Sequence, residues 1–131
     1  MEGQRQYKSW ELYSCLALNR LAAELGIDIY QPNISEILDK IFSGEVPLIP
    51  KNEISFEIKS NYTMTNKVLR KLELDGLVTI QKDDRRYNIA ITKEGVLYLR
   101  QFNAYFVRTY NEIIQDHYRF REMPRWVQAQ Q

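Results

Sequence analysis

Cysteine is almost missing from this chain. Cys15 is the one cysteine in 131 residues, so no disulfide can close within it, and a reducing, cytoplasmic setting is expected. His117 is the one histidine. With a single thiol beside it, it offers no set of four structural zinc ligands. It reads as a helix-surface or seam residue, and no metal or cofactor is expected. Glycine numbers only five, spent as helix stops and termini, and none builds a phosphate-cradling loop. No nucleophile stands beside a plausible base and no carboxylates pair in an evident cleft, so an enzyme is not expected. No apolar run approaches the roughly 20 residues of a membrane helix. Met1 to Lys8 lack the apolar centre of a secretion signal. Net charge is only +1, so no overall excess points to a polyanionic partner.

Hydrophobic residues make up 44% of the chain and charged residues 27%, the balance of one soluble globular domain spanning 1–131. The charge is uneven. Residues 1–60 carry 6 basic and 9 acidic side chains, residues 61–93 carry 7 and 4, and residues 94–131 carry 5 and 4. The positive excess therefore falls in the stretch from Asn61 to Lys93.

That stretch changes its period halfway. Val68, Leu69 and Leu72 share one helical face, and Asn66, Lys67 and Arg70 share the opposite one. Asp75-Gly76 stops the helix, with glycine as the left-handed cap. Alternation follows: Val78 and Ile80 point one way, as do Tyr87, Ile89 and Ile91 after a turn of four charged residues. A polar-faced helix over 63–75, running into a charged-tip hairpin over 78–92, is a winged helix. Thr63 is the expected cap of that helix.

Upstream, residues 7–25 read as a first helix closed by Gly26. Its apolar residues cover more than half its circumference, so one side is expected to meet its own domain and the other a partner chain. Asn33 is the expected cap of a second helix, Ile34 to Phe42. Val46 to Ile49 suit a short edge strand, since Pro47 removes a ladder donor. Pro50 opens a third helix, Lys51 to Lys59, with Ile54 and Ile58 inward. Downstream, Thr92 caps a helix expected to run unbroken over 93–120, longer than the domain can cover. Pro124 ends it, and Trp126 is expected to tuck against it. The reading is mainly α with a small β-wing. It places a helix-turn-helix core over about 33–95 between dimerisation helices at 7–25 and 93–120. Trp10, Tyr13, Leu99, Phe102, Phe106, Tyr110 and Ile113 are the expected dimer contacts.

Leu72-Glu73, Gly76-Leu77-Val78, Asp84-Arg85-Arg86 and Ile91-Thr92-Lys93-Glu94-Gly95 stand in the order of a family pattern. Over about residues 45–100 the sequence resembles MarR-type winged-helix regulators. The resemblance implies a homodimeric transcription regulator. It also implies a wing arginine, Arg85 or Arg86, in the minor groove, with Asp84 holding it. A small aromatic effector is a further implied partner, its pocket lined by Tyr7, Trp10, Tyr13 and Tyr30. Aromatic residues at that spacing are more often core.

From the residues themselves, Asn66, Lys67 and Arg70 are the candidate base readers. Thr63 and Thr65 suit phosphate contact or capping, and Thr65 could face inward. Lys51, Lys59, Lys71 and Lys82 are candidate phosphate contacts. Cys15 lies among leucines with no cation one turn away, and a buried, inert thiol is expected. The expected function is sequence-specific recognition of double-stranded DNA by a homodimeric repressor. Two other readings stand beside it: an architectural winged-helix DNA binder of low specificity, and a winged helix used for protein docking.

Overall fold

The computed structural model describes residues 9–130. The predicted start of the first helix at Tyr7, and Tyr7 itself, lie outside them. Seven helices and a three-stranded sheet follow in the order α1 (Trp10–Ala23), α2 (Ile34–Phe42), β1 (Ile49–Pro50), α3 (Lys51–Ile58), α4 (Tyr62–Leu74), β2 (Val78–Asp83), β3 (Arg86–Ile91), α5 (Lys93–Thr109), α6 (Asn111–His117) and α7 (Arg125–Gln128).

Helix α1 is the axis of the core. Ser9 caps it, its hydroxyl accepting the Leu12 N–H at 3.2 Å. Leu12, Leu16, Leu18 and Leu21 are buried, each contributing about 1.5–3 kcal/mol by leaving water. Helices α3, α4 and α5 and strand β3 of the same chain all pack on it. This corrects the expectation that one side of α1 waits for a partner. The helix is apolar nearly all round because its own domain wraps it, a pattern that periodicity alone cannot tell from an interface helix.

The sheet runs β1-β3-β2, antiparallel throughout. Register pairs Val78 with Ile91 and Ile80 with Ile89, which puts the alternating apolar face of the hairpin inward, as expected. Strand β1 is shorter than predicted and sits at the edge, where Pro50 need not donate to a ladder. A two-residue turn, Asp84-Arg85, joins β2 to β3. Asp84 takes the left-handed region at φ 58°, which its short polar side chain tolerates.

Two caps differ from expectation. Asn33 precedes α2 in the left-handed region and makes no side-chain cap bond. Asn61, not Thr63, caps α4, its Oδ1 accepting the Met64 N–H at 2.8 Å. The C-terminal stop behaves as predicted: Gly76 has φ 77°. Thr92 caps α5 through the Gly95 N–H at 3.0 Å and donates to the Gly76 carbonyl at 2.7 Å. A side chain at Gly95 would overlap the Leu77 carbonyl oxygen and come within 2.6 Å of Ile91 Cγ1. Glycine there lets α5 start against the base of the wing.

The unbroken helix expected over 93–120 is not formed. It is interrupted at Tyr110 (φ −111°, ψ 24°), which separates α5 from α6. The chain then folds back on α3. The buried Glu57 carboxylate accepts from the Tyr118 hydroxyl at 2.9 Å and from Arg121 at 3.2 Å. His117 Nε2 lies 2.8 Å from the Glu57 carbonyl. His117 is thus buried in the chain's own interior and is not a surface or seam residue. Burial and the Glu57 carboxylate push the Tyr118 phenol far above its ordinary range. Trp126 packs edge-on to Tyr118, centroids 6.4 Å apart, in line with the expected tuck.

Of the seven expected dimer contacts, Leu99 and Phe106 are buried within the protomer and are not available to a partner. Trp10 is 43% exposed, and Tyr13, Phe102, Tyr110 and Ile113 are half-buried. Cys15 is buried, and burial pushes its thiol well up. Its neighbours are Asn19 and Asn103, whose amides bond to each other at 2.9 Å.

Candidate nucleic-acid interface

Helices α3 and α4 form the helix-turn-helix, joined through Lys59 in the left-handed region at φ 53°. The inner face of α4 is Thr65, Val68, Leu69 and Leu72, all buried. Thr65 is therefore no nucleic-acid contact. It is 0% exposed, and its hydroxyl donates to the Asn61 carbonyl at 2.9 Å and meets Ser55 Oγ at 3.1 Å. It ties the turn to both helices.

The outer face carries Thr63, Lys67, Arg70 and Lys71, all exposed. Lys71 is drawn to Asp75 at 3.1 Å, a surface pair of little energetic weight. Lys67 and Arg70, with Lys82, Arg85 and Arg86 of the wing, form no ion pair among the described residues. Asp84 pairs with neither wing arginine, so the expected acid–arginine prop at the tip is not formed. Lys59 is also redirected. Its ammonium donates to the His117 carbonyl at 2.6 Å, helping to hold the end of α6.

Between α4 and the wing lies a cleft of about 490 Å³, lined by Lys51, Tyr62, Asn66, Arg70, Lys82 and Tyr87 among others. Lys51, at the first position of α3, reaches across it. Its Nζ donates to Asn66 Oδ1 at 2.8 Å and lies 3.7 Å from the Tyr62 ring centroid and 4.6 Å from that of Tyr87. Lys82 approaches the same Tyr87 ring at 5.7 Å. Lys51, and after it Asn66, hold the Tyr62 phenol below its ordinary value. Cations over aromatic faces are fixed without being neutralised, and the lining carries three cations, Lys51, Arg70 and Lys82, against one carboxylate, Glu73.

Sequence reasoning placed Lys51 among plain phosphate contacts and passed over Tyr62 and Tyr87. The signals were there for two of them. Tyr62, Asn66 and Arg70 recur every four residues on one helix stripe, and Tyr87 stands opposite Lys82 in the hairpin register. The placement of Lys51 needs contacts across 15 residues and has no local signature. Of the residues expected to line an aromatic effector pocket, Tyr7 lies outside the described residues. Tyr30 lines a different cleft, with Asn19, Ile27 and Trp126, and neither Trp10 nor Tyr13 joins it.

Among the described residues, no group of three or more His, Cys, Asp or Glu is placed to hold a metal ion, and no helix is long and apolar enough to cross a membrane. No family model and no curated protein matches the chain. Among solved structures it is similar to the crystal structure of ZitR from Lactococcus lactis, a zinc-responsive MarR family member. The two are 18% identical with a TM-score of 0.47, and the match covers 88% of this chain and 66% of that one. Independently of that likeness, the strand order β1-β3-β2, the helix-turn-helix of α3 and α4 and the hairpin that follows make this chain a winged helix-turn-helix protein.

Proposed function

We propose that the chain is a sequence-specific regulator of transcription that binds double-stranded DNA as a homodimer, acting as a repressor. Helix α4 enters the major groove, and the hairpin β2–β3 reaches the minor groove or backbone. One observation carries this reading. The cleft joining α4 to the wing is lined by Lys51, Arg70 and Lys82, and Lys67, Arg70, Lys82, Arg85 and Arg86 of the same two elements form no ion pair among the described residues. A protein that needed those charges only for solubility would gain nothing from gathering them on one helix and one hairpin. A phosphate backbone takes them up with release of counterions. The repressor role is supported by the MarR-type resemblance of the sequence over residues 45–100. The dimer is supported by the exposed aromatic side chains Trp10 and Tyr105.

The test is selection of bound duplexes from a random pool at fixed salt. An enriched inverted repeat with half-sites about 34–36 Å apart is expected, as is a steep fall in affinity with salt. Arg85→Ala with Arg86→Ala should weaken binding to all sequences alike, and Arg70→Ala should relax preference at particular base pairs. A flat selection profile would favour an architectural binder. Undiminished binding by all these variants would remove α4 and the wing from the DNA face.

A further inference from the structure

The contact between Lys51 and Asn66 changes what α4 can read. An asparagine on a recognition helix pairs with adenine through both ends of its amide: Oδ1 accepts from the base N6 amino group, and Nδ2 donates to N7. Here Lys51 Nζ sits 2.8 Å from Oδ1. An ammonium only donates, so the amide oxygen faces Lys51, and the amide nitrogen donates to the Tyr62 hydroxyl. Tyr62 and Tyr87 hold the ammonium in place. An adenine amino group approaching Oδ1 would meet a lone pair already engaged and a positive charge beside it.

We infer that Lys51, although it lies outside the recognition helix, sets base preference at the position read by Asn66, turning it from adenine to guanine. With Oδ1 taken and the Tyr62 hydroxyl accepting from both side chains, the pair presents N–H donors alone: the second hydrogen of Asn66 Nδ2 and the remaining hydrogen of Lys51. Guanine offers two adjacent acceptors, O6 and N7, on its major-groove edge, whereas adenine offers one acceptor beside a donor. A donor-only pair complements the first and repels the amino group of the second. The inference rests on the DNA-reading role proposed for α4.

Duplex selection with four proteins tests it. Asn66→Ala identifies the base pair that residue 66 reads, as the position whose preference flattens. The wild-type chain should show guanine there. Lys51→Met frees Oδ1 while keeping the length of the side chain, and should move preference at that position towards adenine by about tenfold. Lys51→Arg keeps a side chain that only donates, and should retain guanine. Far-UV circular dichroism and a urea midpoint confirm that each variant is folded. Adenine at that position in the wild type, or guanine retained by Lys51→Met, overturns the inference while leaving DNA reading by α4 intact. A uniform loss of affinity in Lys51→Met that Lys51→Arg restores, with no change of preference in either, overturns it in favour of a phosphate contact. No enriched sequence from the wild type overturns both this inference and the regulator reading.

Discussion

Thr63 is the expected cap of α4, yet Asn61 takes that task, and only geometry separates them. Both are residue types that cap helices, both stand within two residues of the start of α4, and both are exposed. Asn61 has extended backbone angles (φ −76°, ψ 171°) and accepts the Met64 N–H. Thr63 is already inside the helix, where its hydroxyl has no orphan donor to meet. Asn61→Ala should therefore destabilise the fold by about 1 kcal/mol, and Thr63→Ala should stay within about 0.5 kcal/mol. Urea midpoints at unchanged m-value would show it, and equal losses would return the cap to doubt. The same separation of neighbours governs function on α4. Thr65, two residues on, is sealed between α3 and α4, while Asn66 beside it opens to the cleft. One step along a helix turns a side chain through about 100°, from core to groove.

At the level of elements, the least expected feature is the return of the chain after α5. The sequence pattern Leu99, Phe102, Phe106, Tyr110, Ile113 runs on at helical spacing across a point where the backbone does not. The break at Tyr110 is legible only from the far side, where Tyr118 and Arg121 find Glu57 on α3 some 60 residues away. Glu57 is 8% exposed at its side chain, whereas Arg121 is 44% exposed. The two partners should not count equally. A buried carboxylate that loses a buried donor bears most of its desolvation cost, about 1–3 kcal/mol, while a half-exposed guanidinium is screened by water and contributes less. Tyr118→Phe should thus cost more stability than Arg121→Ala, about 1–3 against at most about 1 kcal/mol, read from chemical denaturation. The opposite ranking would place the strength of this clamp at its exposed rim.

Elements built on local pattern were legible in the sequence for physical reasons that the clamp lacks. Helix α2 spans the predicted Ile34 to Phe42. The inner face of α4 is the predicted Val68, Leu69 and Leu72, and Gly76 stops that helix as glycine in the left-handed region should. Periodicity and turn chemistry act over a few residues, so they survive in a one-dimensional reading. The site was legible as an element but not as an arrangement. Lys67, Arg70, Arg85 and Arg86 lie on the exposed helix and wing as the sequence suggested. The placing of Lys51 between Tyr62 and Tyr87, the loss of Thr65 to the interior and the diversion of Lys59 to the His117 carbonyl all depend on contacts between elements.

On the scale of the whole molecule, the covering of α1 changes the argument for a dimer. Were α1 and the last helix left bare, the protomer could not fold alone, and dissociation would mean unfolding. Instead Leu12, Leu16, Leu18, Leu99 and Phe106 are buried within one chain. A row of aromatic side chains on α5 reaches the surface above the buried Phe106: half-buried Tyr98 and Phe102 with centroids 4.7 Å apart, and exposed Tyr105 against Phe106 at 5.6 Å. At one end of the row, Tyr110 is tied to Glu11 by a hydrogen bond of 2.7 Å. Tyr105 is 42% exposed and Trp10 43%. A dimer made through this face would join folded protomers, so assembly and folding should come apart. Trp10→Glu with Tyr105→Glu should give a monomer by sedimentation whose helical circular dichroism is intact. Its melting temperature should not vary with protein concentration, whereas that of the parent should. Each monomer would carry one α4 and one wing, so affinity for an inverted repeat should fall towards that for a single half-site. Loss of helix on breaking the dimer would show that α1 depends on its partner after all. A parent chain that is monomeric at micromolar concentration, yet binds an inverted repeat no more weakly than expected of a dimer, would remove this face from DNA recognition.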